Sequence, residues 1–339
     1  MNVAVIGYGY WGPNLVRNFS WQEGTTVKYV CDLEKKRLDL VKNQFPNIEI
    51  ITQEYRRILA DPQVDAVAIA TPVHTHFSIA KAALEADKHV LIEKPMTDNA
   101  RDARAIVALA KERDRIVMVD HTFVYTGAVR KIKEMVAEGQ IGDIYYFDSV
   151  RVNLGLFQSD INVVWDLAPH DLSIMSYVID KRPVGVGAQG VAHTDSALEN
   201  MAYMTVYYED STLAHFHVNW LSPIKVRRIL IGGSKKMIVY DDMENAEKVK
   251  VYDSGVHIRS DDKESIYDTL VQYRTGDMFA PKLEGTEALN TECRHFVECC
   301  RKKKRPISDG EFGLAIVRML EAAQRSIERG GTRIPLDSI

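Results

Sequence analysis

Cysteine is scarce in this chain: four in 339 residues, at positions 31, 293, 299 and 300. That is too few for a disulfide framework at this length, and no spacing is the C-x-x-C of a zinc site. No stretch approaches the roughly 18 consecutive apolar residues that a membrane helix needs. The N-terminus lacks a basic segment followed by an apolar run and a cleavage site. A cytoplasmic protein of a reducing compartment, with no membrane partner, is expected. An excess of one charge is missing too: 43 basic and 47 acidic residues leave a net charge of −4, without the basic surplus of a nucleic-acid binder. The one dense basic run, Arg301-Lys-Lys-Lys-Arg305, follows a helical pattern and reads as a solvated helix end.

What is present is ordinary globular material, 46% apolar and 27% charged. The length exceeds what one hydrophobic core usually serves, so two domains are expected. In the first third, short apolar runs at Val3–Ile6, Val27–Cys31, Ile48–Ile51, Val64–Ala70, His89–Ile92 and Ile116–Asp120 alternate with helix-length segments. Apolar residues three and four apart mark those helices, as at Ile79, Ala82, Ala83 and Ala86. Strands alternating with helices predict a parallel, doubly wound sheet covered on both faces. The texture changes after Asp120. A helix through Val129, Ile132, Met135 and Val136 ends at Gly139, and a strand runs over Ile144–Val152. A helix is expected over Pro169–Ile179. Five strands between Val184 and Tyr240, joined by short turns, predict a largely antiparallel sheet. Residues 254–285 read as a long polar excursion. Ser308-Asp-Gly-Glu311 fits a capping box opening a last helix, which Gly330-Gly331 ends.

The chemistry starts at Val3-Ala-Val-Ile-Gly-Tyr-Gly-Tyr-Trp-Gly12. Gly7, Gly9 and Gly12 form G-x-G-x-x-G between a strand and a helix. Gly7 permits the tight turn, Gly9 lets the backbone approach a pyrophosphate, and Gly12 lets helix and strand pack closely. Tyr10 and Trp11 belong to the same loop. Asp32 ends the second strand, where an acid binds the adenosine ribose 2′-hydroxyl and disfavours a 2′-phosphate. NAD is therefore expected over NADP, with Lys35, Lys36 and Arg37 just beyond to soften the preference. Asp32 as a simple helix cap is the blander reading.

Three further segments lie where a ligand is expected. Ala70-Thr71-Pro72-Val-His74-Thr-His76 follows the fourth strand. Its histidines read as loop residues near a cofactor, because no third metal ligand is spaced for them. Glu93-Lys94-Pro95 follows the fifth strand, where it either faces the same crevice or forms a surface Glu–Lys pair before a helix. Val164-Trp-Asp166-Leu-Ala-Pro-His170-Asp171 suggests Pro169 at the first turn of a helix, with Asp166 just upstream and His170 inside it. The acid and imidazole are close enough to share a hydrogen bond, or else Asp166 is only a cap. His215 and His217 alternate on one strand face and read as sheet residues. No metal site is expected.

Together these segments resemble the Gfo/Idh/MocA oxidoreductases, over nearly the whole chain. Glu93-Lys-Pro95 followed by Trp165-Asp-Leu-Ala-Pro-His-Asp171 carries most of the specificity. The resemblance implies an α/β protein: an N-terminal Rossmann domain, residues 1–121, and a C-terminal α+β domain, residues 122–339, with a largely antiparallel open sheet. A final helix, 310–330, is expected to pack back on the first domain. The family's lysine carries over to Lys94, as a proton carrier touching substrate and nicotinamide. Its aspartate and histidine carry over to Asp166 and His170. The cofactor set is then Gly7, Gly9, Tyr10, Trp11, Gly12, Asp32, Thr71, Pro72, His74, Glu93 and Lys94. By position, Tyr125, Arg151 and Asn153 join Lys94, Asp166 and His170 as expected substrate contacts. Asn162-Val-Val-Trp165 and His121-Thr-Phe123 depart from the commoner family stretches. The variant looks similar to UDP-N-acetylglucosamine and UDP-N-acetylglucosaminuronate 3-dehydrogenases. A homodimer or homotetramer acting on a UDP-sugar is implied. Inositol, a free sugar, keto-sugar reduction and a non-catalytic sensor are the alternatives.

Overall fold

The computed structural model describes residues 1–155, 161–194, 198–253, 255–258 and 271–339. The chain divides into two compact units, residues 1–126 with 286–321 and Ile339, and residues 127–285 with 322–338.

The first unit alternates β1 (Asn2–Ile6), α1 (Gly12–Ser20), β2 (Thr26–Cys31), α2 (Lys35–Gln44), β3 (Ile50–Thr52), α3 (Tyr55–Ala60), β4 (Ala66–Ile69), α4 (Val73–Glu85), β5 (His89–Glu93), α5 (Ala100–Glu112) and β6 (Val117–Asp120). The strands pair in the order β3-β2-β1-β4-β5-β6, all parallel. Residues such as Val3–Val5, Ala66–Ile69 and Val90–Ile92 are essentially inaccessible, as expected of strands covered on both faces. The order reverses at β1 and β4, the switch point at which such sheets open a crevice.

The second unit begins with α6 (Gly127–Ala137), β7 (Ile144–Leu154) and α7 (Val163–Val178). It continues through β8 (Pro183–Val191), β9 (Met201–Tyr208), β10 (Leu213–Asn219), β11 (Leu221–Gly233), β12 (Met237–Asp241) and β13 (Val249–Tyr252). The sheet also takes in two short end strands, β16 (Met278–Phe279) and β17 (Ile334–Pro335), in the order β16-β13-β12-β11-β7-β10-β9-β8-β17. Neighbours are antiparallel except β7 and β10, which run parallel. Helix α7 lies against β7, β9 and β10. Within the excursion expected at 254–285, β14 (Gly255–Ile258) pairs with β15 (Val271–Arg274), and β16 (Met278–Phe279) pairs with β13. Residues 254 and 259–270 of that stretch lie outside the described residues.

The chain closes with α8 (Ala288–Lys302), α9 (Gly310–Glu328) and β17 (Ile334–Pro335), which pairs with β8. Two expectations need correction. The expected capping box at Ser308 is not the cap of α9. Asp309 is, its carboxylate accepting the Phe312 N–H at 2.8 Å. Ser308 instead turns inward, where its hydroxyl donates to the Val119 carbonyl at 2.7 Å. The helix expected from Pro169 starts six residues earlier, because Asn162 caps it. The Asn162 Oδ1 accepts the N–H groups of Val164 and Trp165, both at 3.1 Å. Pro169 therefore sits inside α7, where it removes the donor that would close on the Trp165 carbonyl.

Candidate active site

The loops at the C-terminal ends of the parallel strands carry most of the expected site residues. After β1, Gly7 turns with φ +98°, and a Cβ there would lie 2.4 Å from the Ala70 carbonyl oxygen. A Cβ on Gly12 would lie 2.2 Å from the Gly7 carbonyl oxygen. The fold itself demands both glycines. Gly9 differs: a Cβ there would meet only the Arg37 guanidinium, at 3.6 Å. The described residues supply no steric reason for glycine at this position, whereas a pyrophosphate drawn against the backbone does. The start of α1 carries no side-chain cap, which leaves backbone N–H groups and the positive helix end for phosphate. Tyr10 is almost wholly exposed beside this turn. These residues fit a dinucleotide.

Asp32 is buried just after β2. Its Oδ2 accepts the Tyr8 N–H at 2.7 Å and its Oδ1 the Glu34 N–H at 2.8 Å. Asp32 thus joins the end of β2 to the glycine turn. Arg37 lies 3.3 Å from Asp32 and 2.8 Å from Glu34. Its charge is engaged by two carboxylates, which argues against a 2′-phosphate seat and for NAD.

After β4, the Thr71 hydroxyl meets that of Thr75 at 2.6 Å, and Pro72 leads into α4. His74 is exposed, but His76 is buried. The His76 Nε2 lies 2.8 Å from the Thr71 carbonyl and its Nδ1 3.0 Å from the Pro95 carbonyl. This imidazole therefore clasps the loop after β4 to the loop after β5. Burial pushes its pKa down, so it stays neutral and donates to one of the two carbonyls. Glu93 and Lys94 are half-buried at the end of β5, and the Lys94–Pro95 peptide is cis. At the end of β6, Asp120 accepts the Trp11 indole Nε1–H at 2.6 Å and the Thr122 hydroxyl at 2.6 Å. With β4 and β5 between β1 and β6, the strands joined by this bond lie roughly 14 Å apart at ordinary spacing.

In the second unit, Asp166 and His170 lie one turn apart on α7, so their side chains share a face. Both are half-buried, and the Trp220 indole donates to Asp166 Oδ2 at 3.1 Å. The expectation that Asp166 precedes the helix is corrected by the Asn162 cap, which puts both residues inside it. Asn153 is half-buried on β7.

Two residues expected at substrate are committed elsewhere. Arg151 is buried and grips Asp171 through Nη2 at 2.6 Å and Nε at 3.0 Å, with the Ser149 hydroxyl adding a third bond at 2.8 Å. Tyr125 is buried, with its hydroxyl 2.9 Å from that of Ser308. His215 and His217 stack on Tyr203, the latter with ring centroids 4.4 Å apart. Among the described residues no group of three or more His, Cys, Asp or Glu side chains is placed to hold a metal ion. Nor is any of their helices long and apolar enough to cross a membrane.

Comparison with known proteins matches residues 1–121 to the oxidoreductase family with the NAD-binding Rossmann fold, and residues 129–239 to the GFO/IDH/MocA C-terminal domain. The chain belongs to the Gfo/Idh/MocA oxidoreductases. It is 30% identical over 260 residues to the UDP-N-acetylglucosamine 3-dehydrogenase of Acidithiobacillus ferrooxidans, covering 75% of this chain and 78% of the relative. The solved structure of the enzyme of that name from the same organism matches with a TM-score of 0.80 at 24% identity, over 97% and 98% of the two chains. A levoglucosan dehydrogenase in complex with NADH and levoglucosan matches with a TM-score of 0.83 at 18% identity, over 99% of each chain. At these identities the structures establish the shared fold. As a Gfo/Idh/MocA protein the chain is an NAD-binding oxidoreductase.

Sequence reasoning read His76 as a loop residue near the cofactor, whereas it lies buried on α4, and it missed Asp120 at the end of β6 and Glu292 on α8. His76 shares the inner face of α4 with Ile79, Ala80 and Ala83, a spacing that marks it as buried. Asp120 ends a strand as Asp32 does. Glu292 falls on the apolar face of α8 with Leu289, Cys293 and Phe296, where a charged residue is conspicuous.

Proposed function

We propose that the protein is an NAD-dependent sugar dehydrogenase that oxidises a carbinol carbon, C3, of a nucleotide-linked sugar such as UDP-N-acetylglucosamine or its uronate. The product is the 3-keto sugar. The similarity to a UDP-N-acetylglucosamine 3-dehydrogenase over three quarters of the chain carries the substrate class. NAD, when bound, supplies the hydride acceptor. The glycine turn, Asp32, Thr71 and Pro72 are the residues proposed to hold it.

In this reading Lys94 accepts the hydroxyl proton as the carbinol C–H leaves with its electron pair. One alcohol and one oxidised cofactor give one ketone, one reduced cofactor and one proton. His170 is the proposed second proton carrier or oxygen anchor, and Asp166 shares its helical face to orient it. Asn153 is the remaining proposed substrate contact. The protein is proposed to act as a homodimer or homotetramer through the half-exposed sheet face that carries Tyr203, His215 and His217.

The test is NADH formation by the purified protein with NAD and a panel of UDP-sugars. 2-Oxoglutarate is added in parallel to recycle any retained cofactor. Turnover with a UDP-N-acetylhexosamine or its uronate supports the assignment. Turnover only with inositol or free sugars moves the substrate class. NAD binding with no turnover on any alcohol or keto sugar replaces it with a sensor role.

A further inference from the structure

Glu292 is fully buried on α8, and neither carboxyl oxygen receives a hydrogen bond of ordinary geometry. The group it meets is the carboxyl of Asp120, itself 2% exposed. Two ionised carboxyls in contact inside a protein repel each other and lose their hydration, so such a pair retains a proton. The surroundings decide where that proton sits. Burial pushes the Asp120 carboxyl up as well, but Asp120 accepts two short bonds, from Thr122 and Trp11, that favour its ionised form. Burial first, and then the negative neighbours Asp120 and Glu93, oppose the ionisation of Glu292, with the Thr122 hydroxyl working the other way. The remaining titratable neighbours are the thiol of Cys293 and the phenol of Tyr125, both pushed up by burial first and by Glu292 next.

We propose that Glu292 and Asp120 are a positioning pair: Glu292, as a neutral carboxylic acid, donates its proton to a hydrogen bond with ionised Asp120, which in turn holds the Trp11 indole of the glycine turn. Trp11 belongs to the loop that NAD approaches, and the Asp120 bond fixes it from the far end of β6. Glu292 touches no cofactor atom in this scheme and acts through Asp120. The dyad carries one negative charge rather than two.

This inference rests on the NAD-binding turn and not on the identity of the sugar, so its test uses no substrate. Infrared difference spectra of wild type against Glu292→Gln at neutral pH should show the carbonyl band of a protonated carboxylic acid that the variant lacks. The amide of Glu292→Gln still donates to Asp120, so its NAD affinity by calorimetry should stay within about twofold of wild type. Glu292→Met fills the same space without a donor and should weaken NAD by about tenfold. Absence of the acid band from the wild type, or its persistence in Glu292→Gln, overturns the proposal. So does a Glu292→Gln variant that loses NAD, or a folded Glu292→Met variant that binds it normally. If Glu292→Met does not fold, the infrared band and Glu292→Gln still decide.

Discussion

The backbone N–H of Tyr8 donates to the Asp32 carboxylate at 2.7 Å, so the glycine turn after β1 and the acid after β2 are one mechanical piece. An Asp32 variant therefore disturbs the turn as well as any ribose contact. Gly9 separates those effects, because among the described residues none crowds it.

Gly9→Ala should fold with an unchanged melting temperature and bind NAD at least about tenfold more weakly, since only the ligand meets the added methyl. Gly7→Ala should instead lower the melting temperature outright, because its Cβ falls 2.4 Å from the Ala70 carbonyl at a positive φ. Thermal melts paired with NAD titrations of both variants check this. A Gly9→Ala protein with normal NAD affinity contradicts the assigned pyrophosphate seat.

Lys94→Ala should lower kcat by about a hundredfold or more, the usual worth of a positioned proton carrier. Its NAD dissociation constant should change little. Steady-state kinetics with a cofactor titration measure both. Near-normal turnover removes Lys94 from the mechanism.

The parallel sheet was legible in the sequence because its strands are buried on both faces and appear as continuous apolar runs. The glycine spacing was legible because sterics fix it. The start of α7 was not. Val163, Val164 and Trp165 are weak helix formers ahead of an interior proline, and packing against the sheet outweighs that local preference. The Asn162 cap was the available local signal. The ion pair of Arg151 was not legible for a different reason: its partner Asp171 lies 20 residues away, and strand periodicity gives no account of such pairing. Glu292 was visible only as a charge out of place on an apolar stripe.

Asp171→Asn should destabilise the second unit by about 3–5 kcal/mol, because it leaves the Arg151 guanidinium buried without its counter-charge. Arg151→Met combined with Asp171→Leu should recover most of that loss. Chemical denaturation of the single and double variants measures the coupling. Equal stability of all three proteins contradicts the buried pair.

His121 is buried against Phe312, with neither ring nitrogen hydrogen-bonded, and burial pushes its pKa down to about 3. Above its ordinary value both folded and unfolded forms are neutral, and stability does not depend on this group. As pH falls below that value the unfolded chain takes the proton first, so stability drops progressively until about pH 3. His121→Phe should therefore lose less melting temperature than wild type between neutral pH and mild acid. Parallel acid-side slopes for the two proteins contradict this sign.

The fate of one hydrogen tests whether C3 of the nucleotide-linked sugar is the hydride donor. Purified protein is given NAD and UDP-N-acetylglucosamine, or its uronate, deuterated at C3, and the reduced cofactor is weighed by mass spectrometry. Reduced cofactor one deuterium heavier is expected, formed together with a 3-keto sugar. Unlabelled NADH, or no reduction while the same sample oxidises a different alcohol, contradicts C3 as the donor.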